Sequence, residues 1–118
     1  MARVLVADDD ASIRELITSM LAMDGHEVEA VATESEAVLV HDSTSPDVLV
    51  LDVRMREGGA HEILRRIDAH EPGVRCPVIV VTGDGEYEHT HPRLSAVLSK
   101  PFNLDDLRQA VSSALLRP

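Results

Sequence analysis

Asp8, Asp9, Asp52, Thr82 and Lys100 all stand at the ends of short apolar runs, residues 4–7, 48–51, 78–81 and 96–98. If those runs are parallel strands of one open sheet, their carboxyl ends line a single edge, where open α/β sheets bind ligands. Three carboxylates, a hydroxyl and an ammonium would then share one crevice. Carboxylates at contact distance repel strongly in a partly buried site, so such a cluster favours a divalent cation with oxygen ligands.

The elements that must carry these residues follow from periodicity. Strand-length apolar runs alternate with helical patterns, which predicts βα units, a parallel sheet and helices on both of its faces. In the first helix Ser12 and Glu15 have capping-box spacing, either Asp10 or Ser12 can serve as N-cap, and Ile13, Leu16, Ile17, Met20 and Leu21 recur on one face. Gly25 closes that helix. Residues 27–31 alternate polar and apolar, as an edge strand covered on one side does. Thr33 with Glu36 opens a second helix whose buried face includes Ala37 and Val38. After Pro46 the unbroken apolar run 48–51 suits a strand buried on both faces. A third helix follows Gly58-Gly59, buries Ile63, Leu64 and Ile67, and ends before Pro72-Gly73. Residues 83–93 hold two glycines, a proline and two histidines, so no regular helix is predicted there. The last helix, capped by Asn103, turns Leu104, Leu107, Val111 and Leu115 inward.

Length and charge narrow the functions open to such a chain. The 118 residues suffice for one core and not two, and 44% hydrophobic content is that of an ordinary globule. Eleven basic against twenty-one acidic side chains give a net charge of −10, which repels nucleic acid phosphate and anionic membrane surfaces. No direct nucleic acid or membrane contact is therefore expected. No apolar stretch approaches the length of a membrane span and no signal-peptide pattern precedes the first strand, so the expected location is the cytoplasm. The chain reads as a complete small protein or an excised domain. Cys76 has no partner for an internal disulfide and reads as a small buried apolar residue before Pro77.

Taken together, Asp8-Asp9 after strand one, Asp52 after strand three, Thr82 after strand four and Lys100-Pro101 after strand five resemble the receiver domains of two-component response regulators. The resemblance spans nearly the whole chain. The run Leu51-Asp52-Val53-Arg54-Met55, with Glu62-Ile63-Leu64 beyond it, is similar to the family's phosphoacceptor segment. The resemblance implies one receiver domain over residues 1–118, with a doubly wound five-stranded parallel sheet of flavodoxin-like order 2-1-3-4-5. It implies that Asp52 accepts a phosphoryl group from a histidine kinase or a histidine phosphotransfer protein. Mg²⁺ is the implied cofactor, ligated by Asp9, Asp52 and the backbone carbonyl of Arg54, with Asp8 holding a metal-bound water. Lys100 and Thr82 would each engage a phosphoryl oxygen, and the Lys100-Pro101 peptide would be cis. The implied role is a cytoplasmic signalling switch acting on a downstream protein partner or a fused output domain, not a turnover enzyme.

Several positions depart from the family's pattern. Arg56 stands where proline is common and Ala60 where glycine is common, so the loop before the third helix is expected to be shaped differently and to be more mobile. Val97 replaces the aromatic switch residue three places before the lysine. The stretch from Thr82 to Lys100 is short by roughly one helical turn, so the fourth helix is expected to be truncated or irregular. Phosphorylation would then order the 83–93 loop instead of rotating an aromatic ring. Arg54 and Asp84, if paired across the crevice, would slow phosphate hydrolysis. His89 and His91, among Glu86 and Glu88, are expected as solvated surface and not as a metal site.

Val97 and the short fourth unit leave open a pseudo-receiver, a phosphorylation-independent binding module on the same fold. An aspartate-nucleophile phosphatase of the haloacid-dehalogenase type wants a second carboxylate at position 54, where this chain has arginine. A flavodoxin-like cofactor carrier wants a phosphate-binding loop after strand one, where Asp8-Asp9-Asp10 would repel the cofactor.

Overall fold

The computed structural model describes residues 2–70, 73–83 and 91–116. Its elements run β1 (Arg3–Ala7), α1 (Ala11–Met23), β2 (Glu27–Val31), α2 (Glu34–Thr44), β3 (Val48–Asp52), α3 (Gly59–Asp68), β4 (Val78–Thr82), β5 (Leu94–Ser99) and α4 (Leu104–Leu115). The strands form one parallel sheet in the order β2-β1-β3-β4-β5. This is the expected doubly wound arrangement. β3 and β4 are buried along their whole length, as their unbroken apolar runs require, while β2 alternates.

Because side chains alternate across a strand, the sheet feeds two separate cores. Leu5, Leu49, Leu51 and Val80 pack beneath α2 and α3 with Ala37, Ile63, Leu64 and Ile67. Val4, Val6, Val50, Ile79 and Val81 pack beneath α1 and α4 with Ile17, Leu21, Leu107 and Val111. Fully burying one such aliphatic side chain contributes about 1.5–3 kcal/mol. α1, α3 and α4 are therefore held mainly by their apolar stripes, whereas α2 fully buries only Glu34 and Ala37. The stripe is narrower in α1 than its periodicity suggests: Ile17, Met20 and Leu21 are buried, Ile13 is half-buried, and Leu16 is 46% exposed at the margin. In α4, Leu107, Val111 and Ala114 are buried, with Leu104 and Leu115 half-covered at the edges.

The helix ends are set by polar side chains. Asp10, and not Ser12, is the N-cap of α1, its Oδ1 accepting the Ser12 and Ile13 N–H groups at 2.9 and 3.3 Å. Gly25, just past the C-cap, has φ +91°, which favours glycine. Thr33 caps α2 through the Glu36 N–H, and Asn103 caps α4 through the Asp105 N–H. α2 ends at Ser45, whose φ of 51° is left-handed.

No helix separates β4 from β5 among the described residues. The expected truncated or irregular fourth helix falls largely on residues 84–90, outside the described residues. The start of β5 is nonetheless anchored. His91 Nδ1 accepts the Arg93 N–H at 3.1 Å, so Nε2 carries the ring proton and donates to Asp68 Oδ2, at the end of α3, at 2.7 Å. Leu94 N–H donates to the His91 carbonyl and Val78 N–H to the Arg93 carbonyl.

Candidate functional site

The parallel register carries the polar ends of β1, β3, β4 and β5 to one edge of the sheet. β1 runs out at Ala7, and Asp8 N–H donates to the Val31 carbonyl. The chain then turns under Asp8, whose Oδ1 accepts the Asp10 N–H at 2.9 Å while its carbonyl accepts from Arg14 Nη1 at 2.7 Å. This Asx turn leaves Asp8 buried and Asp9 exposed. Asp52 is the last residue of β3, 4% exposed, with Oδ1 accepting the Arg54 N–H at 3.2 Å. One oxygen each from Asp8, Asp9 and Asp52 lie within 4.8 Å of one another.

Lys100 reaches this cluster from the far side. Its N–H donates to the Thr82 carbonyl at 2.7 Å, and its Nζ lies 3.2 Å from Asp8 Oδ2 and 3.3 Å from Asp52 Oδ2. The Lys100-Pro101 peptide is cis. Thr82 is fully buried at the end of β4, between Asp52 and Lys100 in sheet order. The five residues singled out in the sequence thus converge. Val97 lies on β5, 42% exposed.

The electrostatics follow from burial. Desolvation raises the Asp52 carboxyl above its ordinary range and the charge of Asp8 adds to it, while the Arg54 N–H and Lys100 oppose both. Burial alone would lower Lys100, but Asp52 and Asp8 outweigh it and hold the ammonium's proton more tightly than usual. Two acids and one ammonium leave uncompensated negative charge, and Asp9 adds to it. An all-oxygen donor set of that charge suits Mg²⁺, which prefers a few carboxylates and retained waters.

One residue that holds the loop after Asp52 was not legible as such. Glu34, in the first turn of α2, is 1% exposed, and its Oε2 accepts the N–H groups of Glu57 and Gly59, each at 2.8 Å. The loop expected to be loose at Arg56 and Ala60 is therefore gripped by a buried carboxylate. Its one available signal is spacing: Glu34 shares a helical stripe with Ala37 and Val38, on the buried side of α2. Gly59 itself has φ +59°, and a Cβ there would sit 2.1 Å from the Val53 carbonyl oxygen, so only glycine fits.

Other candidates fall away from this edge. His91 is engaged by Asp68, and His89, Glu86 and Glu88 lie outside the described residues, as does Asp84, the expected partner of Arg54. Cys76 is partly buried, and desolvation pushes its thiol up to about 11, which keeps it protonated at neutral pH. No helix among the described residues is long and apolar enough to cross a membrane.

Comparison with known proteins places this geometry in a family. The family model described as response regulator receiver domain matches residues 4–112. The chain is 31% identical over 117 residues to the regulatory protein AtoC of Escherichia coli, covering 96% of this chain and 25% of that protein. It is 33% identical over 119 residues to the response regulator MprA of Mycobacterium avium, covering 98% of this chain and 51% of that protein. The chain thus spans a quarter to a half of the length of these curated relatives. Among solved structures, a putative response regulator from Chloroflexus aurantiacus superposes with a TM-score of 0.86 at 25% identity, covering 98% of both chains. The chemotaxis protein CheY4 of Vibrio cholerae gives 0.82 at 27% identity, with 98% of this chain and 99% of that one covered. On its own residues and on these likenesses, the chain belongs to the response regulator receiver domain family.

Proposed function

We propose that residues 1–118 act as one receiver domain, a cytoplasmic switch in which Asp52 accepts a phosphoryl group from a histidine kinase or a histidine phosphotransfer protein. What supports this reading is the placement of Lys100 Nζ within 3.3 Å of both Asp8 and Asp52, at an edge where three carboxylates meet. An Asp52 oxygen attacks the phosphorus of the donor phosphohistidine. The new O–P bond forms as the N–P bond breaks, and the imidazole leaves with that electron pair and takes up a proton. A carboxylate is a weak nucleophile, but phosphoryl transfer mainly needs positioning and charge neutralisation. Lys100 steadies a phosphoryl oxygen, and Thr82 engages another. Asp8, Asp9, Asp52 and the Arg54 carbonyl would hold Mg²⁺, which when bound neutralises the charge gathered on the phosphoryl oxygens.

The modified chain then signals to a downstream protein or a fused output domain, and it does not turn over a separate substrate. Incubation with Mg²⁺ and acetyl phosphate, followed by intact mass, tests the reading. The wild type should gain one phosphoryl group and Asp52→Asn none. A wild type that gains nothing, or an Asp52→Asn protein that gains as much, overturns it. The first of these outcomes would favour a phosphorylation-independent binding module, a reading with which Val97, aliphatic and 42% exposed on β5, agrees.

A further inference from the structure

We propose that Glu34 is a positioning residue for phosphoryl transfer, holding the loop after Asp52 in the shape that the acceptor and the Arg54 carbonyl require. This inference rests on the receiver reading above and concerns how that site is assembled.

Four observations carry it. Glu34 is not the cap of its own helix: Thr33 Oγ1 accepts the Glu36 N–H, and the same hydroxyl donates to Glu36 Oε1, both at 3.1 Å. A carboxylate 1% exposed is costly to bury unless strong donors meet it. Here a single oxygen, Oε2, accepts two backbone N–H groups at 2.8 Å, from residues 23 and 25 positions away. The site also lies where the first turns of α2 and α3 approach each other, so both helix dipoles favour a negative charge.

The second of those donors leads directly to the acceptor. Gly59 lies so close to the preceding strand end that a Cβ would come 2.1 Å from the Val53 carbonyl oxygen and 2.6 Å from that of Asp52. Fixing the Gly59 amide therefore fixes the backbone on which the Asp52 side chain and the Arg54 carbonyl stand. α3 has no side-chain cap of its own at Gly58. Glu34 supplies from another helix what the loop lacks, in a segment where Arg56 and Ala60 stand in place of a stiffening proline and a permissive glycine.

Glu34→Ala and Glu34→Asp test this, the first removing the acceptor and the second withdrawing it by one methylene. Leu64→Ala, buried in α3 away from the loop amides, serves as a destabilised control. Mg²⁺ affinity is read by calorimetry, and phosphorylation by acetyl phosphate at saturating Mg²⁺, at a temperature where circular dichroism shows each protein folded. Glu34→Ala should weaken Mg²⁺ binding about tenfold and slow phosphorylation, as loss of a group that orients metal ligands does. Glu34→Asp should move both in the same direction, and it carries the test alone if the alanine variant does not fold. Leu64→Ala should lower the melting temperature with Mg²⁺ affinity unchanged. Wild-type Mg²⁺ affinity in both Glu34 variants, or an equal loss in Leu64→Ala, overturns the inference. A wild type that takes up neither Mg²⁺ nor a phosphoryl group overturns the receiver reading instead, which no Glu34 variant enters.

Discussion

Asp52 is caught between two demands. As an acceptor it must be ionised, yet burial and Asp8 push its proton affinity up. Its carboxyl is therefore easier to protonate folded than unfolded. The native state carries a penalty that is full at neutral pH and fades as pH falls through the folded pKa toward the unfolded value. Asp52→Asn removes that penalty, so in Mg²⁺-free buffer it should be more stable than the wild type at pH 7. The gap should close as pH drops toward 4. Paired urea melts at several pH values check it, and a gap that widens on acidification would contradict the electrostatic account. Lys100 already offsets part of the cluster's charge, and its own proton is held more tightly than usual, so the site keeps its ammonium throughout that range.

Among the elements, the strands were the most legible. Runs such as residues 48–51 and 78–81 fill β3 and β4, because a strand buried on both faces has no polar positions to blur its ends. Helix margins were less so: Leu16 shares the α1 periodicity but faces solvent, since a helix lying on a sheet buries only a stripe. The five chemical residues could be read because each lies at the end of a strand or within two residues past it. Glu34 could not be read with its role, because its partners are backbone amides 23 and 25 residues away, which no side-chain pattern records. The C-cap of α2 offers a prediction at this scale. Ser45 is exposed with φ 51°, a conformation that strains any residue with a Cβ. Ser45→Gly should stabilise the protein by about 0.5 kcal/mol, the relieved strain exceeding the added unfolded-chain entropy. Denaturant midpoints measure it, and a loss of stability would show that the serine side chain contributes there.

At the scale of the whole molecule, a net charge of −10 on 118 residues sets a background of self-repulsion. Raising NaCl from about 0.01 M to about 1 M shortens the screening length from about 30 Å to about 3 Å. The thermal midpoint should then rise by a few degrees. A fall would mean that local pairs, such as the bidentate contact of Arg108 with Asp24 between α4 and the end of α1, outweigh the long-range repulsion. The sheet also imposes a mechanical constraint. β5 is moored at one end, where Lys100 N–H meets the Thr82 carbonyl, and at the other through His91 to the tail of α3. An outermost strand fastened at both ends cannot slide by itself. A displacement of β5 beside Thr82 would therefore load the His91–Asp68 contact at its other end, which ties the ligand edge of the sheet to the last residue of α3.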